Sequence, residues 1–217
     1  MNRRSLLYAM YEAMLEALGP SHWWPGETPF EVAVGAILTQ NTNWSNTSRA
    51  IANLRSAGLL SPGALAALPD SRLAELIRPA GYFRLKAARL KNFLRFLRDE
   101  AGLSMATLAG KGLATLRPKL LEVKGVGPET ADSILLYALG QSTFVVDAYT
   151  RRILSRHGLV PEDAGYDEMR DLFMGALDAD PALYNEYHAL LVRVGKDFCR
   201  PKAPRCATCP LAAFLER

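Results

Sequence analysis

The sequence lacks the long apolar runs of membrane proteins and the repeats or low-complexity tracts of fibrous and disordered chains. No apolar stretch in its 217 residues reaches the length of a transmembrane helix. Near the N-terminus two arginines precede apolar residues, but Glu12 interrupts this run, and the apolar residues recur at helical spacing. We therefore expect a cytoplasmic protein that has no membrane partner.

β-Strand signals are also scarce. Only residues 142–147, STFVVD, form a short apolar β-branched run, and we interpret it as an extended connection between helices. Helix starts are frequent: Ser61 and Asp70 are N-cap candidates, and Pro62 suits a first helical position. We predict an all-α fold in which residues 30–42 include a buried helix.

The segment 83–103 is strongly amphipathic. Arginine and lysine occupy its polar face, and its apolar face is predicted to point inward through Leu85, Leu90, Phe93, Leu94 and Leu97. A chain of this length can bury one sizeable core or two small lobes. We expect two lobes: residues 28–135, and residues 1–27 together with residues 136–217.

Cysteine is rare and confined to one place. All three cysteines, Cys199, Cys206 and Cys209, lie within the last nineteen residues. An odd number of cysteines, close together and without a secretory context, favours metal ligation over disulfide bonds.

Residues 120–139, LLEVKGVGPETADSILLYAL, predict a helix, a Gly-Val-Gly turn and a second helix that begins at Pro128. Glycines permit a positive φ and a close approach to a ligand, and the first N–H groups of the second helix have no partner within it. With Lys124 they form an anion site suited to a DNA phosphate, and an ordinary helical turn is the alternative. The formal net charge of +4 fits such a partner weakly.

Asp147 follows two apolar residues in VVDAYTRRIL, residues 145–154. It is most simply the N-cap of the next helix. It is also a candidate carboxylate for catalysis, and the two roles are compatible.

The three tryptophans, Trp23, Trp24 and Trp44, bracket the apolar helix. Core packing is one explanation, because indoles bury much area. The pair Trp23–Trp24 is followed by a proline, which indicates a loop and leaves a role in binding open.

Together these segments resemble the endonuclease III-like DNA glycosylase superfamily, which combines a helix–hairpin–helix, a Gly/Pro-rich turn and an aspartate after two apolar residues. The resemblance covers nearly the whole chain. It implies a two-lobed, all-α enzyme of base excision repair whose partner is double-stranded DNA with a damaged base. We expect a monomeric protein of bacterial type that associates with the nucleoid when it acts on DNA.

The resemblance also implies roles for particular residues. In AILTQNT, residues 36–42, Gln40 would fill the space left by an extruded nucleotide, and in AGYFRLKA, residues 80–87, Tyr82 or Phe83 would be a wedge. The hairpin would contact DNA through Lys124, Gly125, Gly127 and Thr130. It would also hold a monovalent cation. Asp147 would be the catalytic carboxylate.

Bifunctional members carry a lysine where this chain has Glu129. The lysine amine attacks the sugar, forms a Schiff base and lets the strand be cut. Glutamate cannot form a Schiff base, although it suits the first turn of a helix. We therefore predict a monofunctional enzyme that hydrolyses the N-glycosidic bond, with Asp147 stabilising the oxocarbenium-like sugar or activating water.

Trp-Trp-Pro, followed by Leu-Thr-Gln-Asn-Thr and an aromatic residue, is most similar to the 3-methyladenine DNA glycosylase III branch. This similarity places Trp24 and Trp44 in a base pocket, with His22 beside them. An indole face attracts a desolvated cation such as N3-methylated adenine. We therefore predict alkylated purines as substrates.

Two alternatives stay open. One is a bifunctional endonuclease III-type glycosylase and AP lyase acting on oxidised pyrimidines, which Glu129 and the tryptophans disfavour. The other is a non-catalytic DNA-damage-binding module, which would have no need of Asp147.

CRPKAPRCATCPL, residues 199–211, resembles the iron–sulfur loop of the superfamily. The spacing C-x6-C-x2-C matches three ligands of a 4Fe–4S cluster, and the fourth position falls on Leu215, which cannot be a ligand. A zinc site would need His188, but eleven residues of presumed helix separate it from Cys199, about 16 Å. We predict an iron–sulfur cluster held by three cysteines, with a fourth ligand that is not a cysteine.

Overall fold

The computed structural model describes residues 2–21, 23 and 26–215, and in these residues the regular structure is helical, without a β-strand. The predicted all-α fold is confirmed. Two compact units are present, residues 24–141, called the hairpin unit, and residues 1–23 with 142–217, called the terminal unit. From the sequence we expected the hairpin unit to span residues 28–135. None of the described helices is both long and apolar enough to cross a membrane.

The helices are short to medium in length. In chain order the α-helices are α1 (Arg3–Leu18), α2 (Pro29–Leu38), α3 (Trp44–Ser56), α4 (Pro62–Ala67), α5 (Asp70–Leu76), α6 (Phe83–Ala101), α7 (Met105–Ala109), α8 (Leu113–Glu122), α9 (Pro128–Ser133), α10 (Ala148–Arg156), α11 (Tyr166–Met174) and α12 (Pro181–Asp197). A π-helical turn, Ile134–Ala138, continues α9. Short 3₁₀ turns occupy Arg78–Ala80, Cys206–Thr208 and Ala212–Phe214.

Prolines and polar caps determine where several helices begin. Pro62 and Pro128 each take the first position of a helix, as predicted, and Ser61 caps α4 with its side chain. The expected cap at Asp70 is wrong, because Pro69 is the residue that precedes α5. The fixed φ of this proline leads directly into the helix, and Asp70 then lies in the first turn, where a carboxylate suits the helix dipole.

Helix α2 lies at the centre of the hairpin unit, and its residues 30–38 are all buried. Thr28 caps its start, accepting the backbone N–H of Glu31 at 3.1 Å. A helix that is buried on all sides is expected to be largely apolar, which explains the apolar residues on every face of α2. Its one carboxylate, Glu31, is paired with Arg55.

The apolar face of α6 differs from the predicted one near its start. Four of the expected residues are buried, Leu90, Phe93, Leu94 and Leu97, but Leu85 is 51% exposed and Lys86 is buried instead. The Lys86 ammonium donates to the carbonyl oxygens of Leu38 and Ala80 at 2.8 and 2.7 Å. Carbonyls at helix ends lack partners within the helix, so this lysine satisfies them while its stem packs in the core. Burial, together with the charge of Arg89, lowers the pKa of Lys86 to about 8.

The terminal unit packs α1, α10 and α12 together around aromatic side chains. The ring of Phe144 stacks on that of Phe173, with centroids 3.8 Å apart, and meets Tyr187 edge-on. Phe144 belongs to residues 142–147, which form an extended connection without strand pairing, as interpreted from the sequence. This buried connection fixes the point at which α10 begins.

Candidate functional site

The hairpin between α8 and α9 uses its two glycines differently. Gly125 has a φ of +95°, and a Cβ on it would lie 2.4 Å from Cγ of Arg89. Gly127 has an extended backbone, with φ −91° and ψ 179°, and no atom beyond its two neighbouring residues lies within 4 Å of where its Cβ would be. Only Gly125 therefore uses the positive φ that glycine permits, because the residue before a proline, here Gly127 before Pro128, favours extended conformations.

The exposed side of the hairpin presents the start of α9. Lys124, Gly127 and Glu129 are exposed, whereas Thr130 is buried. The open space at Gly127 lets a ligand approach the backbone there. This arrangement can accept an anion such as a phosphate of a nucleic-acid backbone.

Gln40 follows α2, and its side-chain amide is tied to the hairpin. Its Nε2 donates to the carbonyl oxygen of Gly125 at 3.0 Å and to Oγ1 of Thr130 at 2.8 Å. Its Oε1 accepts from the guanidinium of Arg89. The next residue, Asn41, has a φ of +52°. Two segments that the sequence predicts to contact DNA therefore meet within the hairpin unit.

Tyr82 lies immediately before α6 and is 72% exposed, with a φ of +44°. A left-handed conformation costs a non-glycine residue roughly 1–2 kcal/mol, and such strain clusters at functional sites. Phe83 instead packs partly against the core, with the guanidinium groups of Arg78 and Arg84 5.9 and 6.0 Å from its ring centroid. Of the two wedge candidates, Tyr82 is the one whose ring is exposed to solvent.

Trp44 begins α3 and lines a pocket of 180 Å³ in the hairpin unit. The other lining residues are Glu27, Glu31, Ser48, Ile51 and Arg55. Glu31 is only 5% exposed and accepts a hydrogen bond from the Arg55 guanidinium at 2.7 Å, and Glu27 lies 3.3 Å from the same group. Two carboxylates and one guanidinium give this pocket a formal charge of −1.

Trp44 also packs against the core of the hairpin unit, so its indole is partly buried. Packing and a place in the pocket are therefore compatible for this residue. His22 and Trp24, which the sequence predicts beside it, lie outside the described residues.

Asp147 is the N-cap of α10, as predicted. Its Oδ1 accepts the backbone N–H of Thr150 at 2.7 Å. Its Oδ2 lies 3.7 Å from Nε2 of His188 on α12, and the two side chains are 14% and 6% exposed. Burial lowers the pKa of His188, although the charge of Asp147 opposes this change. A neutral imidazole therefore faces Asp147 at neutral pH.

The three cysteines follow α12 in residues 199–211, called the cysteine loop. Cys199 is buried, Cys206 is exposed and Cys209 lies between these extremes. In the described part of the chain, no three His, Cys, Asp or Glu side chains come close enough to hold a metal ion. Leu215 occupies the fourth position of the spacing. The described residues therefore do not supply the four ligands of a 4Fe–4S cluster.

Two arginines of α10 hold the cysteine loop by its backbone. Arg152 donates to the carbonyl oxygens of Gly195 and Cys199 at 2.9 and 2.7 Å. Arg156 donates to those of the next two residues at 2.7 and 3.0 Å, and one of its N–H groups lies 3.4 Å from Sγ of Cys199. Hydrogen bonds to a helix thus determine the path at the start of this loop.

A model of the HhH-GPD superfamily of base excision DNA repair proteins matches residues 34–178, more than half of the chain. The chain belongs to this superfamily. The matched residues include Gln40, the hairpin and Asp147. The resemblance to endonuclease III-like DNA glycosylases is confirmed.

Relatives of this HhH-GPD protein cover almost its full length. The "Putative DNA repair glycosylase MJ1434" of Methanocaldococcus jannaschii is 48% identical over 214 residues, 98% of this chain and 97% of that protein. The structure is similar to that of the H. pylori 3-methyladenine DNA glycosylase MagIII bound to 1,N6-ethenoadenine, with 28% identity, a TM-score of 0.77 and coverage of 90% and 98%. A trapped endonuclease III–DNA covalent intermediate shares the fold, with a TM-score of 0.82, 21% identity and coverage of 100% and 96%.

Sequence reasoning did not assign His188, Glu27, Glu31 or Arg89 to the HhH-GPD site. His188 is distant from Asp147 in the chain, and the sequence suggests it only as a zinc ligand that lies too far from Cys199. Glu31 gave a usable signal, because a carboxylate within the apolar run FEVAVGAIL is rarely buried without a partner. Nothing in the sequence pairs Arg89 with Gln40.

Proposed function

We propose that this HhH-GPD protein is a monofunctional DNA glycosylase that releases cationic alkylated purines from double-stranded DNA. The observation that carries the proposal is the pocket at Trp44, in which an indole and two carboxylates line a space of 180 Å³. An indole face attracts a desolvated cation by about 2 kcal/mol. The formal charge of −1 from Glu27, Glu31 and Arg55 favours the same ligand, and a neutral pyrimidine gains neither contribution.

Similarity to MagIII supports this choice of substrate. That protein is a 3-methyladenine DNA glycosylase, and its structure contains a modified adenine, 1,N6-ethenoadenine. The two chains are 28% identical over 90% of this chain.

Double-stranded DNA with a damaged base is the proposed partner, held through its phosphates by the hairpin. Endonuclease III, which shares the fold, is known in complex with DNA. The first N–H groups of α9, the exposed Lys124 and the open backbone at Gly127 suit a phosphate. Such contacts give affinity without reading base sequence.

Asp147 is the proposed catalytic residue. The sugar gains positive charge as the base departs, and a carboxylate fixed in place stabilises that charge. Its N-cap hydrogen bond to Thr150 fixes its orientation. His188, at 3.7 Å and neutral, keeps one side of the carboxylate away from water without competing as a cation.

Glu129 supports hydrolysis without strand cleavage. It occupies the second position of α9, exposed on the hairpin, where bifunctional relatives of the superfamily carry a lysine. A carboxylate cannot form the Schiff base that leads to strand cutting. A cationic purine is also an easier leaving group, which suits a site without an amine nucleophile.

Gln40 and Tyr82 are the proposed residues that stabilise the opened duplex. Gln40 would occupy the gap left by the extruded nucleotide, and the exposed ring of Tyr82 would enter the stack of bases. Removing a base from the stack costs a few kcal/mol, which such insertions offset.

The test is a panel of duplexes carrying 3-methyladenine, 1,N6-ethenoadenine or thymine glycol, assayed with and without hot alkali. We expect fastest release of 3-methyladenine, strand breaks only after alkali, and no adduct with borohydride. Equal or faster release of thymine glycol, with a borohydride adduct, would support the bifunctional alternative. Binding to every damaged duplex without release of any base would support the damage-binding module.

The three-cysteine iron–sulfur cluster stays a prediction, and no step of the reaction depends on it. The cysteine spacing favours it, whereas in the described residues no three His, Cys, Asp or Glu side chains lie close enough to hold a metal ion. Iron and sulfide analysis of protein purified under nitrogen measures it directly. Colourless protein that contains zinc or no metal would contradict it.

A further inference from the structure

Three polar side chains, spaced three residues apart on α6, contact the end of α2 and the hairpin. They are Lys86, Arg89 and Asn92, called the α6 polar row. Lys86 donates to the carbonyl oxygen of Leu38, the last residue of α2, at 2.8 Å. Asn92 donates to the carbonyl oxygen of Lys124 at 2.8 Å. Residues three apart share one face of a helix, so the row connects the end of α2 with the hairpin.

Arg89, in the middle of the row, contacts Gln40 and Gly125 through different parts of its side chain. Its guanidinium donates to Oε1 of Gln40. Its alkyl stem lies against Gly125 so closely that a Cβ there would be 2.9 Å from Cδ and 2.4 Å from Cγ. The stem therefore supports the turn, whereas the guanidinium acts on the glutamine.

The amide of Gln40 is oriented by this arrangement. A cation at Oε1 directs Nε2 towards the hairpin, where it donates to Gly125 and Thr130 at 3.0 and 2.8 Å. A free glutamine side chain samples many rotamers, and ordering it on binding costs entropy. Ordering the side chain before binding removes that cost from the encounter with DNA.

We infer that Arg89 is a positioning residue that preorganises Gln40 beside the hairpin for insertion into the gap left by a flipped nucleotide. The inference rests on the proposed role of Gln40. It assigns to Arg89 an effect on recognition of the gap, not on attachment to undamaged DNA. The inference does not depend on which residue is the catalytic carboxylate or on which damaged base is released.

The probe is a duplex with a tetrahydrofuran abasic-site analogue, which provides the gap without requiring a known lesion. The measured quantity is gap selectivity, the affinity for this duplex divided by that for the intact duplex at one salt concentration. Arg89→Met keeps the stem over Gly125 and removes the guanidinium. We expect gap selectivity to fall about tenfold, the scale of one hydrogen bond to a charged group. Arg89→Lys, which keeps a cationic donor, should recover part of the loss.

Arg98→Met is the matched control, because it removes the same charge from an exposed position of the same helix. It should lower both affinities together and leave gap selectivity unchanged. The decisive measurement is a double-mutant cycle with Gln40→Ala. In that background Arg89→Met should change gap selectivity less than about twofold, because its partner is absent.

Three other outcomes would contradict the role inferred for Arg89 or the role proposed for Gln40. If Arg89→Met costs the same with and without Gln40, it acts independently of Gln40 and the inference is wrong. If gap selectivity rises in Arg89→Met, Arg89 restrains Gln40 instead of preparing it, and the inference is also wrong. If Gln40→Ala alone leaves gap selectivity unchanged, the proposed role of Gln40 fails, and the inference fails with it.

Discussion

Replacing each hairpin glycine with alanine should separate the stability of the fold from its hold on DNA. An alanine at 125 must keep a φ near +95°, which costs roughly 1–3 kcal/mol. Its Cβ would also stand 2.4 Å from Cγ of Arg89, and displacing that stem costs roughly 1–3 kcal/mol more. We expect Gly125→Ala to lower the free energy of unfolding by about 2–6 kcal/mol.

Gly127→Ala should leave stability almost unchanged. The backbone there is extended, with a φ of −91°, and no atom beyond the two neighbouring residues lies within 4 Å of the added methyl group. We expect a change within about 0.5 kcal/mol, as for an ordinary surface substitution. The methyl group would, however, occupy the open space through which a phosphate approaches, so affinity for DNA should fall.

Thermal unfolding and DNA titrations over a salt series measure both effects. At roughly 2–4 °C per kcal/mol for a chain of this size, Gly125→Ala should lower the melting temperature by at least about 4 °C. Gly127→Ala should melt like the unchanged protein and bind DNA more weakly, most visibly at moderate salt. Equal melting temperatures for the two variants would refute the steric reasoning, and unchanged affinity of Gly127→Ala would remove the hairpin from the proposed DNA contacts.

Three further predictions concern the pocket, the carboxylate and pH. Asp147→Asn should slow base release by at least about 100-fold. It should keep the stability of the fold, because asparagine also caps a helix well, and Asp180→Asn at the cap of α12 is the matched control. Near-normal turnover would rule out Asp147 as the catalytic carboxylate. Trp44→Ala should cost roughly 1–3 kcal/mol in recognition of a cationic purine and less for an uncharged lesion, and equal losses in competitive release assays would argue against a cation site. Burial lowers the pKa values of His157 and His188. Below about pH 6.5 the unfolded chain therefore binds more protons at these two residues than the folded protein does, which lowers the free energy of unfolding. The urea midpoint should therefore fall as the pH is lowered from 7 to 5, and a double His→Gln variant with the same slope would contradict this origin.

Much of the secondary structure could be predicted, because its signals are local. Proline is tolerated at the start of a helix but not in its interior, so Pro128 marks the start of α9. Asp147 caps the start of α10 with its own side chain. The buried helix α2 follows from a run of apolar residues with a cap and a proline in front of it. In each case the residues that decide the structure lie within one or two turns of each other.

The errors and omissions have a common physical origin in distant contacts. Periodicity placed Leu85 inside and treated lysines as surface residues, because it cannot include the carbonyl groups of Leu38 and Ala80 that hold Lys86. The pairing of Glu31 with Arg55 joins two helices that the sequence does not align. Such partners become adjacent only when the helices pack, so neither a spacing rule nor a residue preference reveals them.

The hydrogen bonds from Arg152 and Arg156 bear on how the cysteine loop can change over evolutionary time. Guanidinium groups of a neighbouring helix, and not thiols, hold the first carbonyl groups of that loop. A descendant chain can therefore exchange Cys199 for another residue while the backbone of residues 199–201 keeps its course. Mutational drift at Cys199 is thereby uncoupled from the inheritance of the backbone shape at the start of the loop.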